Sequence, residues 1–170
     1  MADHNELAAR DGISIRESKI QGVKIISLKA NADDRGFLIE TWRKSWDMLP
    51  TPPGVTQVYT VIDPVRGIIR AFHKHAHLWD LFHIISGSAK FGLIDDRPDS
   101  PTYNMQETII TGARNPSLII VPPGVFHGWM SLEDDTIMLS IASHEYDRKN
   151  PDEVRVPPNH AGYDWQVKGR

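Results

Sequence analysis

The sequence contains no cysteine among its 170 residues, which excludes disulfide bonds, thiolate metal sites and cysteine nucleophiles. No apolar run approaches the roughly 20 residues that a membrane-spanning helix needs. The polar start, MADHNELAARDG, does not resemble a secretory signal. The formal charge is -3 and there is no basic run, so nothing indicates a nucleic-acid partner. We therefore expect a cytoplasmic protein with neither a membrane nor a nucleic acid as partner.

Short apolar runs separated by glycine, proline and polar residues dominate the chain. Nine of them have strand length: 22–28, 37–42, 55–62, 67–75, 81–86, 89–95, 107–111, 117–122 and 135–143. Their spacing of about 8–12 residues is typical of an all-β barrel or sandwich. We expect one domain over 1–170, with an N-terminal extension to about residue 20 and a loop-rich tail over about 147–170. Helical periodicity is brief and predicts a turn or two over 43–49.

The segment RAFHKHAHLWDLFH, residues 70–83, holds four of the eight histidines beside a single carboxylate, Asp80. Strand alternation places His73 and His75 on one face and predicts that Arg70 lies on the opposite face. One histidine in a strand is more often a hydrogen-bonded or surface residue than a ligand. Two at positions i and i+2 converge on one side of a sheet, which favours a functional pocket.

A second segment, VPPGVFHGW over 121–129, is a proline-glycine turn that leads into a strand. Alternation along that strand puts His127 and Trp129 on a shared face. We expect His127 to meet the histidine pair of the first segment in one pocket. The remaining histidines of that first segment, His77 and His83, are assigned to packing, a loop or the surface.

These residues resemble the two cupin motifs. The first motif is matched, with aspartate in place of the usual glutamate, by Gly67, His73, His75, Asp80 and Gly87. The second is matched in its core by Pro122, Gly124 and His127. The resemblance implies a double-stranded β-helix, or jelly-roll, barrel with short peripheral helices. It also implies a metal site made by His73, His75, Asp80 and His127. Nitrogen and oxygen ligands of this kind suit Fe, Mn, Ni, Zn or Co.

A closer resemblance, to the dTDP-4-dehydrorhamnose 3,5-epimerases, covers about 22–165. It is carried by DRGFLIE at 34–40, RAFH at 70–73, the segment from Asp95 to Tyr103, PPGVFHGW at 122–129, and Tyr146-Asp147 with Asp152-Glu153. Val58-Tyr59 with Arg70, His73 and His75 is also similar to dTDP-4-keto-6-deoxyhexose 3,4-ketoisomerases. Both families are small cupin enzymes of deoxysugar biosynthesis. They move protons beside a sugar ketone without a cofactor, usually as dimers in which N-terminal strands pair.

The resemblance assigns a role to each matching position. Residues implied in catalysis are His73, the base, together with His75 and Tyr59. Residues implied in holding the nucleotide sugar are Arg35, Glu40, Gln57, Arg70, His127 and Trp129. An arginine fork suits a diphosphate. Taken alone, Arg35 and Glu40 fit ordinary surface ion pairs equally well.

Three positions depart from the epimerase pattern. Ser140 stands where the family has its catalytic tyrosine, and Pro158 where a carboxylate orients the base. Asp80 stands where a lysine stabilises the enolate, and a carboxylate about 4 Å from that charge would repel it by roughly 4 kcal/mol. A metal ion would offset the charge of Asp80. The alternatives are therefore a metal-dependent cupin enzyme acting on another small molecule, or a cupin that binds a small molecule without catalysis.

Overall fold

The computed structural model describes residues 12–46 and 54–169. Their strands, in chain order, are β1 (Ser14–Glu17), β2 (Lys24–Ser27), β3 (Ala30–Asp33), β4 (Gly36–Ile39), β5 (Gln57–Asp63), β6 (Ile69–Lys74), β7 (Asp80–Ser86), β8 (Ser88–Asp95), β9 (Gln106–Gly112), β10 (Ser117–Val121), β11 (Val125–Ser131), β12 (Thr136–Ala142) and β13 (Val154–Arg155). Two short 3-10 helices, Lys44–Trp46 and His160–Gly162, complete the elements.

The strands form two antiparallel sheets that share one hydrophobic core. One sheet has the order β1-β2-β10-β7-β12-β5 and the other has the order β13-β6-β11-β8-β9, while β3 and β4 form a separate hairpin. The prediction of an all-β jelly-roll fold with short peripheral helices is confirmed. The two sheets keep separate hydrogen-bonded ladders and do not close into a barrel.

Large apolar side chains from both sheets fill the space between them. Phe82 and Ile84 of β7 pack in one cluster with Phe91 of β8 and Trp129 of β11, and all four are almost fully buried. Burying a side chain of this size contributes roughly 1.5–3 kcal/mol before the entropy cost is counted. This core occupies one part of the intersheet space and supports the floor of the pocket described below.

The segments before and after the strands cover the outer faces of the two sheets. Trp46 packs with Leu81 and Ile120 on the outer side of the six-stranded sheet. On the five-stranded sheet, Tyr163 of the C-terminal tail packs against Phe72, with the ring centroids 5.2 Å apart. The tail is thereby held beside the pocket, where its residues can contribute to the site.

The structure adds detail to two local expectations. The segment expected as an N-terminal extension includes strand β1, which pairs with β2 at the edge of the six-stranded sheet; residues 1–11 lie outside the described part. Of the turn or two expected over 43–49, the structure describes one 3-10 turn at Lys44–Trp46, and 47–49 lie outside the described part. Within the described ranges, no helix is long and apolar enough to cross a membrane.

A bulge in β6 changes the direction in which its side chains point. His127 of β11 pairs with His73, but Trp129, two residues further on, pairs with Arg70, three residues back. The extra residue in β6 brings Arg70 onto the same face as His73. The expectation that Arg70 faces away from His73 is therefore wrong. Strand alternation assumes unbroken pairing, and the sequence carries no local sign of the bulge.

Gly128 lies opposite the bulge, where the two backbones approach closely. A Cβ atom added at Gly128 would lie 2.6 Å from Cα of Ala71 and 2.7 Å from the carbonyl oxygen of Arg70. Real Cβ atoms do not approach backbone so closely, so a larger residue would push the bulge outward. Glycine is required at this position because the two backbones approach closely. Its φ angle does not lie in the left-handed region that favours glycine.

We expect Gly128→Ala to destabilise the protein by about 1–3 kcal/mol, because the overpacked β6 must shift. Chemical denaturation followed by intrinsic fluorescence measures this change. Gly169→Ala is the matched control, because nothing lies within 4 Å of a Cβ atom added there. Equal stability of the two variants would contradict the role assigned to Gly128.

Candidate active site

A pocket of about 640 Å³ lies between the two sheets. Its walls come from strands β5, β6, β7, β11 and β12 and from the segment that includes β13. The structure brings eight of the ten residues singled out by sequence to this pocket: Gln57, Tyr59, Arg70, His73, His75, Asp80, His127 and Trp129. A volume of this size is within the range of small-molecule sites, roughly 300–1,000 Å³.

Three histidines converge on the buried carboxylate of Asp80. Its Oδ2 atom lies 3.2 Å from Nε2 of His75 and 3.2 Å from Nε2 of His127. Nε2 of His127 also lies 3.0 Å from Nε2 of His73. The ligating atoms of the four side chains all lie within 4.8 Å of one another. The cluster predicted from motif spacing is therefore formed, because β7 and β11 place Asp80 and His127 beside β6.

The pKa values of His73, His75 and Asp80 are shifted by burial and by their neighbours. Burial lowers the pKa of His73 to about 2, and the neighbouring His127 ring acts in the same direction. Burial also opposes protonation of His75, but contact with Asp80 outweighs it and leaves the pKa of His75 raised. Burial alone would raise the pKa of Asp80, yet the rings of His127 and His75 hold it below its ordinary range. His73 is thus neutral, and Asp80 is ionised.

Asp152, in the loop before β13, fixes the segment that follows β6 and carries His75. Its carboxylate accepts backbone N–H groups of Ala76, His77 and Leu78 at 2.8, 2.9 and 3.1 Å. Its carbonyl oxygen accepts a hydrogen bond from Nδ1 of His75. The sequence offered Asp152 only as part of the epimerase resemblance. A contact between residues 77 positions apart has no local signal.

Arg70 is anchored at the edge of the pocket by a buried carboxylate. Its Nε donates to Oδ1 of Asp63 at 2.7 Å, and Asp63, at the end of β5, is fully buried. About half of the Arg70 side chain remains exposed, so the guanidinium can also meet a ligand. Sequence reasoning did not identify Asp63, because the two residues meet only after β6 folds across to the other sheet.

Tyr59 lies directly across the β5–β12 ladder from Ser140. Its side chain lines the pocket, and the residue is 42% exposed, whereas Ser140 is fully buried. Burial raises the pKa of the Tyr59 phenol, and the carboxylates of Asp80 and Glu153 act in the same direction. The phenol therefore keeps its proton at neutral pH and can donate it.

Two of the residues singled out by sequence lie outside this pocket. Arg35 is in the turn between β3 and β4 and pairs with Asp33 at 2.5 Å. Glu40 follows β4 and pairs with Arg43 at 2.6 Å. Both sites are well exposed, and each contact matches the ordinary surface ion pair considered from the sequence. Within one chain they do not reach the histidine cluster.

Comparison with known proteins identifies the family. The family model for dTDP-4-dehydrorhamnose 3,5-epimerase matches residues 17–169. A probable low-salt glycan biosynthesis epimerase of Haloferax volcanii is 34% identical over 140 residues, which cover 81% of this chain and 88% of that protein. A spore coat polysaccharide biosynthesis protein of Bacillus subtilis is 32% identical over 156 residues, covering 89% and 99%.

A solved structure supports the same fold. The dTDP-4-dehydrorhamnose 3,5-epimerase of Bacillus anthracis, crystallised with TDP and PPi, superposes with a TM-score of 0.82 and covers 92% of each chain at 24% identity. The family assignment itself rests on the sequence matches, which span most of the chain. The family consists of isomerases, and the similar proteins serve glycan and polysaccharide biosynthesis. The chain belongs to the dTDP-4-dehydrorhamnose 3,5-epimerase family.

Proposed function

We propose that this protein is a sugar-nucleotide epimerase or isomerase that acts on a dTDP-4-keto-6-deoxyhexose by moving a proton beside the ketone. The observation that carries the proposal is the presence of a neutral imidazole, a guanidinium and a phenol around one pocket: His73, Arg70 and Tyr59. Such chemistry needs a base, a group that stabilises the enolate, and a proton donor. The family match supports the class of substrate.

His73 is the proposed base. The epimerase resemblance places the base at this position, and the ring faces the pocket in its neutral form, which offers a lone pair to a carbon-bound proton. Negative charge that develops on the nearby ketone oxygen favours protonation of the imidazole. Arg70 is the proposed partner of that charge or of the diphosphate, because Asp63 fixes its Nε and no other described residue engages the rest of the guanidinium.

Tyr59 is the proposed proton donor. The family tyrosine is replaced by Ser140 on β12, but Tyr59 on β5 is its direct cross-strand neighbour and lines the same pocket. The phenol has therefore moved by one strand in this chain while staying on the same wall. Gln57, two residues earlier, also lines the pocket and accepts the backbone N–H of Tyr146 at 2.8 Å, which helps hold that wall.

We expect Tyr59→Phe and His73→Ala each to lower kcat by about 100-fold or more, the low end for loss of a general acid or base. Turnover is measured by NMR on dTDP-4-keto-6-deoxyglucose. Tyr103→Phe is the matched control, because Tyr103 is 45% exposed and does not line the pocket. Near-wild-type kcat in Tyr59→Phe would remove the phenol from the mechanism. Partial recovery in Tyr59→Ala/Ser140→Tyr would support donation from this wall.

We further propose that the protein acts as a homodimer in which the hairpin β3–β4 of one protomer completes the pocket of the other. The hairpin exposes Phe37 (65%) and Leu38 (62%), and edge strand β5 exposes Ile62 (57%). Exposed apolar side chains on a hairpin and on an edge strand suit an interface. This arrangement explains how Arg35 and Glu40 could hold a nucleotide while lying outside the pocket of their own chain.

Mixing two inactive variants tests this arrangement. When Arg35→Ala and His73→Ala are mixed and exchanged, we expect about one quarter of wild-type activity, because half of the dimers are mixed and each has one intact site. The control is Tyr59→Phe mixed with His73→Ala. Both residues line the pocket of their own chain, so every pocket in a mixed dimer carries one substitution and no activity should return. Light scattering must report twice the 19.2 kDa chain mass. A monomer, or no recovery in the first mixture, would contradict the proposal.

A further inference from the structure

Ser140 lies on β12 directly across from Tyr59, on the face of the sheet that forms the pocket. The β5–β12 ladder runs without a bulge along the whole of β12, so the two side chains share that face. Met138 and Ala142, two residues before and two residues after Ser140, both line the pocket. Directly opposite residues of an antiparallel pair have Cβ atoms about 4.5–5.5 Å apart. The Ser140 hydroxyl is therefore placed just beneath the pocket surface, beside the Tyr59 side chain.

The hydroxyl of Ser140 is buried without a partner. The residue is fully buried, and its Oγ atom forms no hydrogen bond to any residue that the structure describes. A buried polar group without a hydrogen bond is unfavourable, and most such groups in native proteins are paired. An alanine would fill nearly the same space without that penalty. The hydroxyl therefore lowers stability at this position, which is typical of a group kept for function rather than for packing.

The phenol of Tyr59 is the group that the Ser140 hydroxyl influences. Burial raises the pKa of Tyr59, and the hydroxyl of Ser140 acts in the opposite direction. The carboxylates of Asp80 and Glu153 raise this pKa further, because each repels the negative charge of a phenolate. A hydroxyl can rotate its hydrogen toward an acceptor, and a hydrogen bond donated to the charged form lowers a pKa. Ser140 thus counters the other effects as a donor.

We propose that Ser140 is a positioning residue for Tyr59, because its hydroxyl donates a hydrogen bond to the phenolate that forms when Tyr59 gives up its proton. This inference rests on the proposed function, in which Tyr59 is the proton donor. In that step the phenolic O–H bond breaks, and its electron pair stays on the phenol oxygen. The proton forms a C–H bond with the electron pair of the enolate. Ser140 keeps its own proton and directs it at the new negative charge, where a hydrogen bond is roughly twice as strong as between neutral groups.

The hydrogen bond can be tested without any substrate. The four tyrosines of the chain are replaced biosynthetically by fluorotyrosine, whose phenol is more acidic, and are titrated by fluorine NMR. The Tyr59 signal is the one that is absent from Tyr59→Phe. We expect the pKa of this phenol to rise by about one pH unit or more in Ser140→Ala, because the phenolate loses a hydrogen bond. Ser117→Ala is the matched control, because it removes another buried serine hydroxyl from the same sheet, on β10 and outside the pocket.

Turnover and stability separate this role from packing. We expect Ser140→Ala to lower kcat on dTDP-4-keto-6-deoxyglucose by about 10-fold, in proportion to the change in the Tyr59 pKa, and to unfold at the same denaturant concentration as the wild type or a higher one.

An unchanged Tyr59 titration in Ser140→Ala, or a clear loss of stability, would overturn the inference even if the wild type turns over the sugar as proposed. A shifted titration in a protein that does not act on the sugar would instead overturn the proposed function and leave the hydrogen bond in place. The two failures are therefore distinguishable.

Discussion

The buried carboxylate of Asp80 is the constraint around which the site is organised. An ionised group at 3% exposure is stable only when opposite charge or donors surround it, and here the surrounding groups are imidazoles. The Asp152 loop and the Val125 carbonyl hold two of those rings in place.

The second determinant is the close approach of β6 and β11. Without the bulge opposite Gly128, Arg70 would point away from the pocket, and its contact with Asp63 across to the other sheet could not form. The same approach sets His73 in register with His127. A backbone irregularity of one residue thus places the guanidinium and the base on one wall. Phe82 and Trp129, which belong to the apolar core, pack next to that wall.

Sequence reasoning reached the fold and the histidine cluster for identifiable reasons. Strand-length apolar runs with turn residues between them predict a β-sheet protein directly. His73 and His75 point into the same pocket, as their i, i+2 spacing predicts, because both lie on the same side of the bulge. The direction of the Arg70 side chain was predicted wrongly because it depends on the bulge in the pairing of β6 with β11, which the sequence of β6 alone does not show. Asp152 was missed as a support because its contacts join residues more than 70 positions apart. Asp63 was missed because it meets Arg70, only seven positions away, across two different sheets. The strands can thus be predicted from local sequence patterns, whereas the residues that hold the site side chains in place cannot.

Proton transfer at a carbon beside a sugar ketone is the chemistry proposed for this pocket. It is measured by the exchange of deuterium from solvent into dTDP-4-keto-6-deoxyglucose, followed by NMR at C3 and C5 with the enzyme in catalytic amount. We expect enzyme-dependent deuterium at a carbon next to the ketone. Binding of the nucleotide sugar without any exchange at either carbon would contradict the proposed chemistry and would leave the pocket as a binding site.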